Sequence, residues 1–182
     1  MLGLLAAFGL AAATGLNAYL PLLIVGLVAR FTDLIALQAP WSALTNPVVL
    51  VIIGVLLAIE FTVDKIPAVD TVNDVIQTIF RPAAGAILFA ASSNVISNVS
   101  PVLAMACGLL IAGGVHTAKS VARPAVTAGT VGIGNPVVSL AEDAVSGVTT
   151  IVAIVAPILL GLLLLLAVWL FIRWYNRRSA RS

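Results

Sequence analysis

The stretch EFTVDKIPAVDTVNDVIQTIFRP, residues 60–82, decides how this chain folds, because it sets charged side chains between two long apolar runs. It holds four of the seven acidic residues and two of the nine Lys and Arg residues. Charged groups at membrane depth are costly to place and mark functional sites by default. The charged residues of this first polar segment are Glu60, Asp64, Lys65, Asp70, Asp74 and Arg81.

The composition of the whole chain is that of an integral membrane protein. Its 182 residues are 62% hydrophobic and 9% charged, and the mean hydropathy is +1.19. Soluble domains are roughly half apolar and about a quarter charged. Apolar runs of about twenty residues predict membrane-spanning helices. We therefore predict an all-α, polytopic transmembrane helix bundle of about five spans (four to six), in a single domain over residues 1–182.

The two polar segments of the chain predict different elements. In the first, Asp70, Asp74, Gln77 and Arg81 share one helix face, which predicts a short amphipathic helix over 67–81, separate from a span over 83–96. An acidic face is unusual for a helix lying on a bilayer, so we expect it to face the bundle or a bound cation. The second polar segment, 114–147, follows a run over 101–115. Its middle, AVTAGTVGIGNPVV, predicts a broken or re-entrant element, because non-helical backbone at membrane depth must be buried or line a cavity.

The first apolar run, 2–29, contains Asn17, Tyr19 and Pro21. Two interpretations stay open for it: polar side chains that hydrogen-bond between helices at a small-residue interface, or a broken helix that lines a cavity. Residues 1–12 carry no basic residue, so we expect this run to remain in the protein as a span.

The basic residues at the C-terminus predict how the chain lies in the membrane. The tail 173–182 carries Arg173, Arg177, Arg178 and Arg181 after a span over 151–172. The positive-inside rule places it in the cytoplasm, which predicts a multi-pass protein of the inner (plasma) membrane. A nucleic-acid partner is not expected, since the charge is not clustered on a folded face. The expected partners are the lipid bilayer, a small ion or solute and, because the bundle is small, a second copy in a homodimer.

The sequence contains paired carboxylates, which could bind protons or metal cations. Oxygen clusters suit protons, Na⁺, Mg²⁺ or Ca²⁺, and nearby carboxylates raise each other's pKa. We expect no cofactor beyond such a cation, whose ligands would be Glu60, Asp64, Glu142 and Asp143. Basic residues nearby would hold an anionic group. The full candidate binding set is Asn17, Glu60, Asp64, Lys65, Asp70, Asp74, Arg81, His116, Lys119, Arg123, Asn135, Glu142 and Asp143.

Three functions fit these residues. The first is a small transporter or permease whose buried carboxylates couple protons or cations to a small anionic substrate. The second is a flippase or membrane enzyme acting on a phospholipid or polyprenyl phosphate. The third is a non-catalytic assembly protein whose charges only pair, for example Asp64 or Asp74 with Arg123. The motifs HExxH, GxSxG and Walker A are missing from the sequence, which favours a protein other than an enzyme.

Several motifs resemble a known family. They are Gly15-Leu16-Asn17-Ala18-Tyr19, Glu60-x3-Asp64-Lys65-x-Pro67-x2-Asp70-x3-Asp74, Thr78-x2-Arg81-Pro82, Gly114-x-His116-x2-Lys119, Asn135-Pro136-Val137-Val138-Ser139 and Glu142-Asp143. Over nearly the whole chain, they resemble a family of small bacterial polytopic membrane proteins known only as a domain of unknown function. The resemblance implies that these polar positions are family features, and it brings no activity with it.

Short repeats relate the two halves. Asn-Pro-Val-Val occurs at 46–49 and 135–138, and Arg-Pro-Ala occurs at 81–83 and 123–125. The two motifs appear in opposite order in the halves, whereas a tandem duplication would keep one order. Internal repeats mark many secondary transporters, whose binding sites lie where the repeats meet. We therefore predict that the two polar segments touch across the bundle.

Overall fold

The computed structural model describes residues 2–63, 67–93, 100–130 and 134–179, and within these ranges all regular structure is helical. This confirms the all-α prediction. The α-helices are α1 (Leu2–Leu16), α2 (Tyr19–Phe31), α3 (Pro47–Val63), α4 (Pro67–Ser93), α5 (Pro101–Thr130), α6 (Asn135–Val155) and α7 (Pro157–Ser179), and a 3-10 helix spans Trp41–Thr45.

Three described helices are long and apolar enough to cross a membrane. They are Val75–Ser92 within α4, the whole of α5 and the whole of α6. Shorter apolar helices cover Gly3–Leu16, Tyr19–Phe31, Pro47–Val63 and Pro157–Leu170. The helix lengths are those of a membrane protein, and the expected count of about five crossings stays a prediction.

Helix α1 occupies the centre of the bundle and packs against α4, α5, α6 and α7. Its sequence, LGLLAAFGLAAATGL, is rich in alanine and glycine, which let neighbouring backbones approach closely. Ala7, Ala11 and Thr14 are completely buried. Small side chains at the centre explain how four helices can surround one.

The first apolar run is broken at Asn17. Its Oδ1 accepts hydrogen bonds from the backbone N–H groups of Tyr19 (3.0 Å) and Leu20 (2.8 Å), so the side chain satisfies the free donors at the start of α2. Pro21 falls in the first turn of α2, where a missing N–H costs little. Asn17 also donates to α6, as described below. The run therefore combines a helix break with an interhelical hydrogen bond.

Helices α4 and α5 form a tightly packed antiparallel pair. Contact between Phe89 and Gly108 at one level, and between Thr78 and His116 at another, fixes this direction. A Cβ atom at Gly108 would overlap the carbonyl oxygen of Gly85, and a Cβ atom at Gly85 would overlap the side chain of Ala112. Glycine at both positions is therefore what allows the two backbones to touch.

The structure corrects three predicted element boundaries. The expected span over 151–172 is divided at Ala156, because α6 ends at Val155 and α7 begins at Pro157. The expected short amphipathic helix over 67–81 is the first part of α4, which continues through Pro82 to Ser93. Likewise, α5 does not stop near residue 115 but continues through Pro124 to Thr130. Interior prolines are tolerated in membrane helices because neighbouring groups satisfy the freed carbonyls. The second polar segment is thus helical up to Thr130 and again from Asn135, and a re-entrant arrangement stays a prediction.

Both copies of Asn-Pro-Val-Val begin helices, at Pro47 in α3 and at Asn135 in α6. Proline suits the first turn of a helix, so the shared motif has a local structural reason. The two Arg-Pro-Ala copies instead lie in the interiors of α4 and α5. The repeats thus mark equivalent local structure in the two halves.

Candidate functional site

The first half of the site is a buried ion pair between α3 and α4. Nη2 of Arg81 donates to Oε1 of Glu60 at 3.1 Å, and the exposed fractions of the two side chains are 0% and 1%. Glu60 lies near the end of α3, on the face that also buries Leu50, Ile53 and Leu57. The guanidinium that faces it stabilises a carboxylate on this otherwise apolar helix face.

His116 on α5 extends this pair. Its Nδ1 lies 3.1 Å from Nη1 of Arg81, and its Nε2 lies 3.1 Å from Oγ1 of Thr78. A guanidinium can only donate, so Nδ1 must accept and the proton of the neutral ring sits on Nε2. The ring therefore presents a donor to Thr78 and an acceptor to Arg81. This contact confirms that the two polar segments meet.

The second half of the site joins α5 to α6. Oε2 of Glu142 accepts from Nζ of Lys119 at 2.8 Å and from Nη2 of Arg123 at 3.2 Å. Lys119 also donates to the carbonyl oxygen of Leu16 at 3.2 Å, next to the break between α1 and α2. Lys119 and Arg123 are one turn apart on α5, which places both cations on one side of Glu142. One carboxylate oxygen is thus shared by two cations.

The two halves lie within electrostatic range of each other. Arg81 interacts with Lys119 across the α4–α5 contact, and Tyr19 interacts with Glu60, Gln77 and Arg81. Two positive charges that are shielded from water repel each other strongly. The carboxylates of Glu60 and Glu142, which pair with Arg81 and Lys119, offset this repulsion. We call the six residues of the two halves the charged network: Glu60, Arg81, His116, Lys119, Arg123 and Glu142.

Asn17 ties the break between α1 and α2 to this region. Its Nδ2 donates to Oδ1 of Asp143 at 2.9 Å, and Asp143 follows Glu142 directly in α6. Ser146, one turn further along α6, donates to the carbonyl oxygen of Ala13 at 2.9 Å. The amide of Asn135 lies further out, where its Oδ1 accepts from the hydroxyl of Thr127 at 3.1 Å. Asn17 and Asp143 therefore border the network, and Asn135 joins α5 to α6 near their ends.

A family profile described as Domain of unknown function (DUF4126) matches residues 4–177 of this chain. The chain belongs to this family. The match confirms the resemblance expected from the sequence motifs. Comparison with curated proteins gave no match, and comparison with solved structures gave none either. The DUF4126 description names no activity, so the chemistry of the site has to be argued from its own residues.

Most of the predicted candidates that the structure describes are brought together. The charged network contains six of them, Asn17 and Asp143 border it, and Asn135 lies outside it. Asp64 and Lys65 fall outside the described residues, and the side chains of Asp70 and Asp74 are likewise outside the described part of α4. Over the described residues, no group of three or more His, Cys, Asp or Glu side chains is arranged to hold a metal ion. The cation ligand set predicted with Asp64 stays a prediction.

The predicted binding set left out three polar neighbours of the network, Tyr19, Gln77 and Thr78, although the predicted inward face of α4 already contained Gln77. Gln77 is 1% exposed and lies one turn before Arg81 on the same face of α4. The outward-facing residues of this part of α4 include Val75 and Ile79, which are 68% and 73% exposed. The polar stripe at Gln77 and Arg81 therefore faces the bundle, as predicted. Thr78 follows Asp74 by four residues, and residues at this spacing share a helix face, so the sequence could have placed Thr78 beside the polar stripe.

Proposed function

We propose that this chain is a small membrane carrier in which the charged network couples proton movement to the movement of an anionic substrate. The observation that carries the proposal is the sharing of one Glu142 oxygen by Lys119 and Arg123 inside the bundle. An anion that entered the site would compete with Glu142 for these cations. A proton on Glu142 would remove that competition. Proton and anion would therefore bind together, which is the requirement for coupled transport.

A structural role alone explains the network poorly. Replacing a buried ion pair with apolar residues of similar size is often neutral or stabilising, so a stable bundle does not need buried charges. This chain nevertheless buries Glu60 and Arg81 almost completely, and Lys119 and Arg123 to more than nine-tenths. Ionisable groups inside a membrane bundle commonly mark ion or substrate pathways. The cost of burying four charged side chains favours a function that needs them.

The test is proton uptake driven by an anion gradient. The full chain is reconstituted in liposomes that contain a pH-sensitive dye, and an inward gradient of sulfate, succinate or decanesulfonate is applied. Decanesulfonate stays charged and does not carry protons across the bilayer by itself. We expect at least one of these anions to acidify the lumen in wild-type vesicles and to do so at least about tenfold more slowly with Glu142→Gln. Equal rates in wild type, Glu142→Gln and empty vesicles for every anion would overturn the proposal.

A second candidate is an assembly protein whose charges only hold its helices together. It is favoured by the pairing of Glu60 with Arg81, and of Glu142 with Lys119 and Arg123. Under this alternative, Glu60→Gln and Glu142→Gln would lower the thermal stability of the bundle, and wild-type protein would drive no proton uptake. Folded, stable variants that lose only proton uptake would instead support the carrier.

A further inference from the structure

A cleft of about 400 Å³ opens between α4 and α5 beside the charged network. Pro82, Leu110, Gly113 and Gly114 line it, and it reaches Thr78 and His116. Leu110 is 71% exposed whereas His116 is 4% exposed, so the cleft leads from the outer surface of the helix pair to a buried imidazole. It is a side entrance to the site.

Two adjacent glycines create this cleft. A Cβ atom at Gly114 would meet nothing within 4 Å, and one at Gly113 would come no closer than 3.7 Å to Pro82. Close helix contact therefore does not require glycine at these two positions, in contrast to Gly108. What the missing side chains provide is the open space itself.

The cleft opens near the middle of two helices that are long and apolar enough to cross a membrane. Thr78 lies fifteen residues before the end of α4 (93 − 78 = 15), and His116 lies fifteen residues after the start of α5 (116 − 101 = 15). At about 1.5 Å per residue, both are about 22 Å along their helices from the end of α4 and the start of α5. A membrane-spanning helix crosses a hydrocarbon core of about 30 Å, so the middle of such a helix faces lipid chains. Ile79, beside Thr78, is 73% exposed. When α4 and α5 cross a membrane, a molecule that enters here comes from the bilayer.

The inner end of the cleft favours an anionic head group. The neutral ring of His116 carries its proton on Nε2, toward Thr78, and the guanidinium of Arg81 lies behind the ring. A ligand oxygen at this point would share the Nε2–H donor with Thr78 and would feel the positive charge of Arg81. A carboxylate is small and singly charged, so it costs less to bring to this depth than a phosphate. The volume lies in the lower part of the range, about 300–1,000 Å³, that encloses small ligands.

We propose that the α4–α5 cleft binds a single-chain lipid with a carboxylate head group, of the fatty-acid type. The carboxylate lies at His116, the first part of the chain passes Gly113 and Gly114, and the remainder stays in the bilayer. The proposal rests on the proposed function for its meaning, since it names the substrate class of the carrier, but binding itself requires no transport.

The test is equilibrium binding of radiolabelled palmitate to the purified full chain in mild detergent. Gly114→Leu adds a side chain to the cleft at a position where a Cβ atom meets nothing within 4 Å, and Gly54→Leu in α3 is its matched control, because the same is true of a Cβ atom there. We expect saturable binding that weakens at least about tenfold with Gly114→Leu and less than about twofold with Gly54→Leu. Hexadecanol, which has the same chain with a neutral head, should compete at least about tenfold more weakly than unlabelled palmitate.

Unchanged binding by Gly114→Leu, or equal competition by hexadecanol and palmitate, would overturn the assignment. If Gly114→Leu does not purify as a folded protein, Leu110→Trp obstructs the rim of the same cleft and is held to the same expectation. If the wild-type protein shows anion-driven proton uptake but does not bind palmitate, only the assignment of the cleft is contradicted. If the wild-type protein binds palmitate but shows no anion-driven proton uptake, only the proposed carrier function is contradicted.

Discussion

Nη1 of Arg81 lies 3.1 Å from Nδ1 of His116, and through this contact two segments separated by 35 residues meet inside the bundle. The same guanidinium holds Glu60 through Nη2. Arg81 is thus the residue on which α3, α4 and α5 converge, and it is completely buried. Its surroundings decide both the stability of the bundle and the chemistry of the site.

Removing the charge of Arg81 should destabilise the bundle strongly. Arg81→Met leaves Glu60 buried without its guanidinium, which typically costs about 3–5 kcal/mol. The double variant Glu60→Met/Arg81→Met should recover more than half of this loss, because both charges are then gone. Unfolding of the purified proteins in detergent, followed by circular dichroism, measures both effects. Arg173→Met, at an exposed position of α7 where the guanidinium lies over the Trp169 ring, should change the free energy of unfolding by no more than about 1 kcal/mol. Losses that simply add in the double variant would contradict the pairing.

Exchanging the polar groups of Asn17 and Asp143 should distinguish a hydrogen bond from a charge requirement. Asn17→Asp keeps an oxygen to cap α2 but places a second carboxylate within hydrogen-bond distance of Asp143, so we expect a lower melting temperature. Asn17→Asp/Asp143→Asn restores one amide and one carboxylate and should regain most of the loss. A double variant no more stable than Asn17→Asp would show that the positions are not interchangeable and that the contact is not what stabilises the pair.

Adding one methyl group at Gly108 should separate α4 from α5. Gly108→Ala forces a Cβ atom onto the carbonyl oxygen of Gly85, and overpacking of this kind costs about 1–3 kcal/mol. Gly54→Ala is the matched control, since its Cβ atom meets open space and alanine is the better helix former by about 1 kcal/mol. The free energies of unfolding should therefore change in opposite directions. A destabilisation of similar size in both variants would argue against the close helix contact.

Removing the titratable group of Glu142 should remove the pH dependence of anion binding. Under the proposed coupling, a proton on Glu142 releases Lys119 and Arg123, so binding of decanesulfonate should strengthen as the pH falls. A glutamine at this position cannot ionise and resembles the protonated state, so Glu142→Gln should bind the anion at all pH values about as wild type does at acidic pH. Binding measured at a series of pH values tests this. A pH profile that is the same in wild type and variant would exclude Glu142 as the coupling carboxylate.

Much of the site was predictable from local sequence. The helical spacing of Gln77 and Arg81 put them on one face, and charge at membrane depth marked that face as inward, which the burial of both residues confirms. Partner choice was not predictable in the same way. The sequence offered Asp64 or Asp74 as partners for Arg123, and these side chains lie outside the described residues. The contact that the structure does describe for Arg123, with Glu142, was not predicted. Pairing depends on which helices are neighbours, and short-range periodicity carries no information on that.

The sequence by itself determined the helical membrane class, the family and the set of polar residues, because composition, helix periodicity and motif spacing are properties of the chain. Only the tertiary structure decided that α4 continues through Pro82, that α5 continues through His116 to Thr130, and that Gly85 and Gly108 bring the two backbones together. The physical reason is packing. Neighbouring helices supply partners for the polar groups and compensate the interior prolines, so Glu60 and Arg81, which fall in separate predicted elements, meet in one buried charged network.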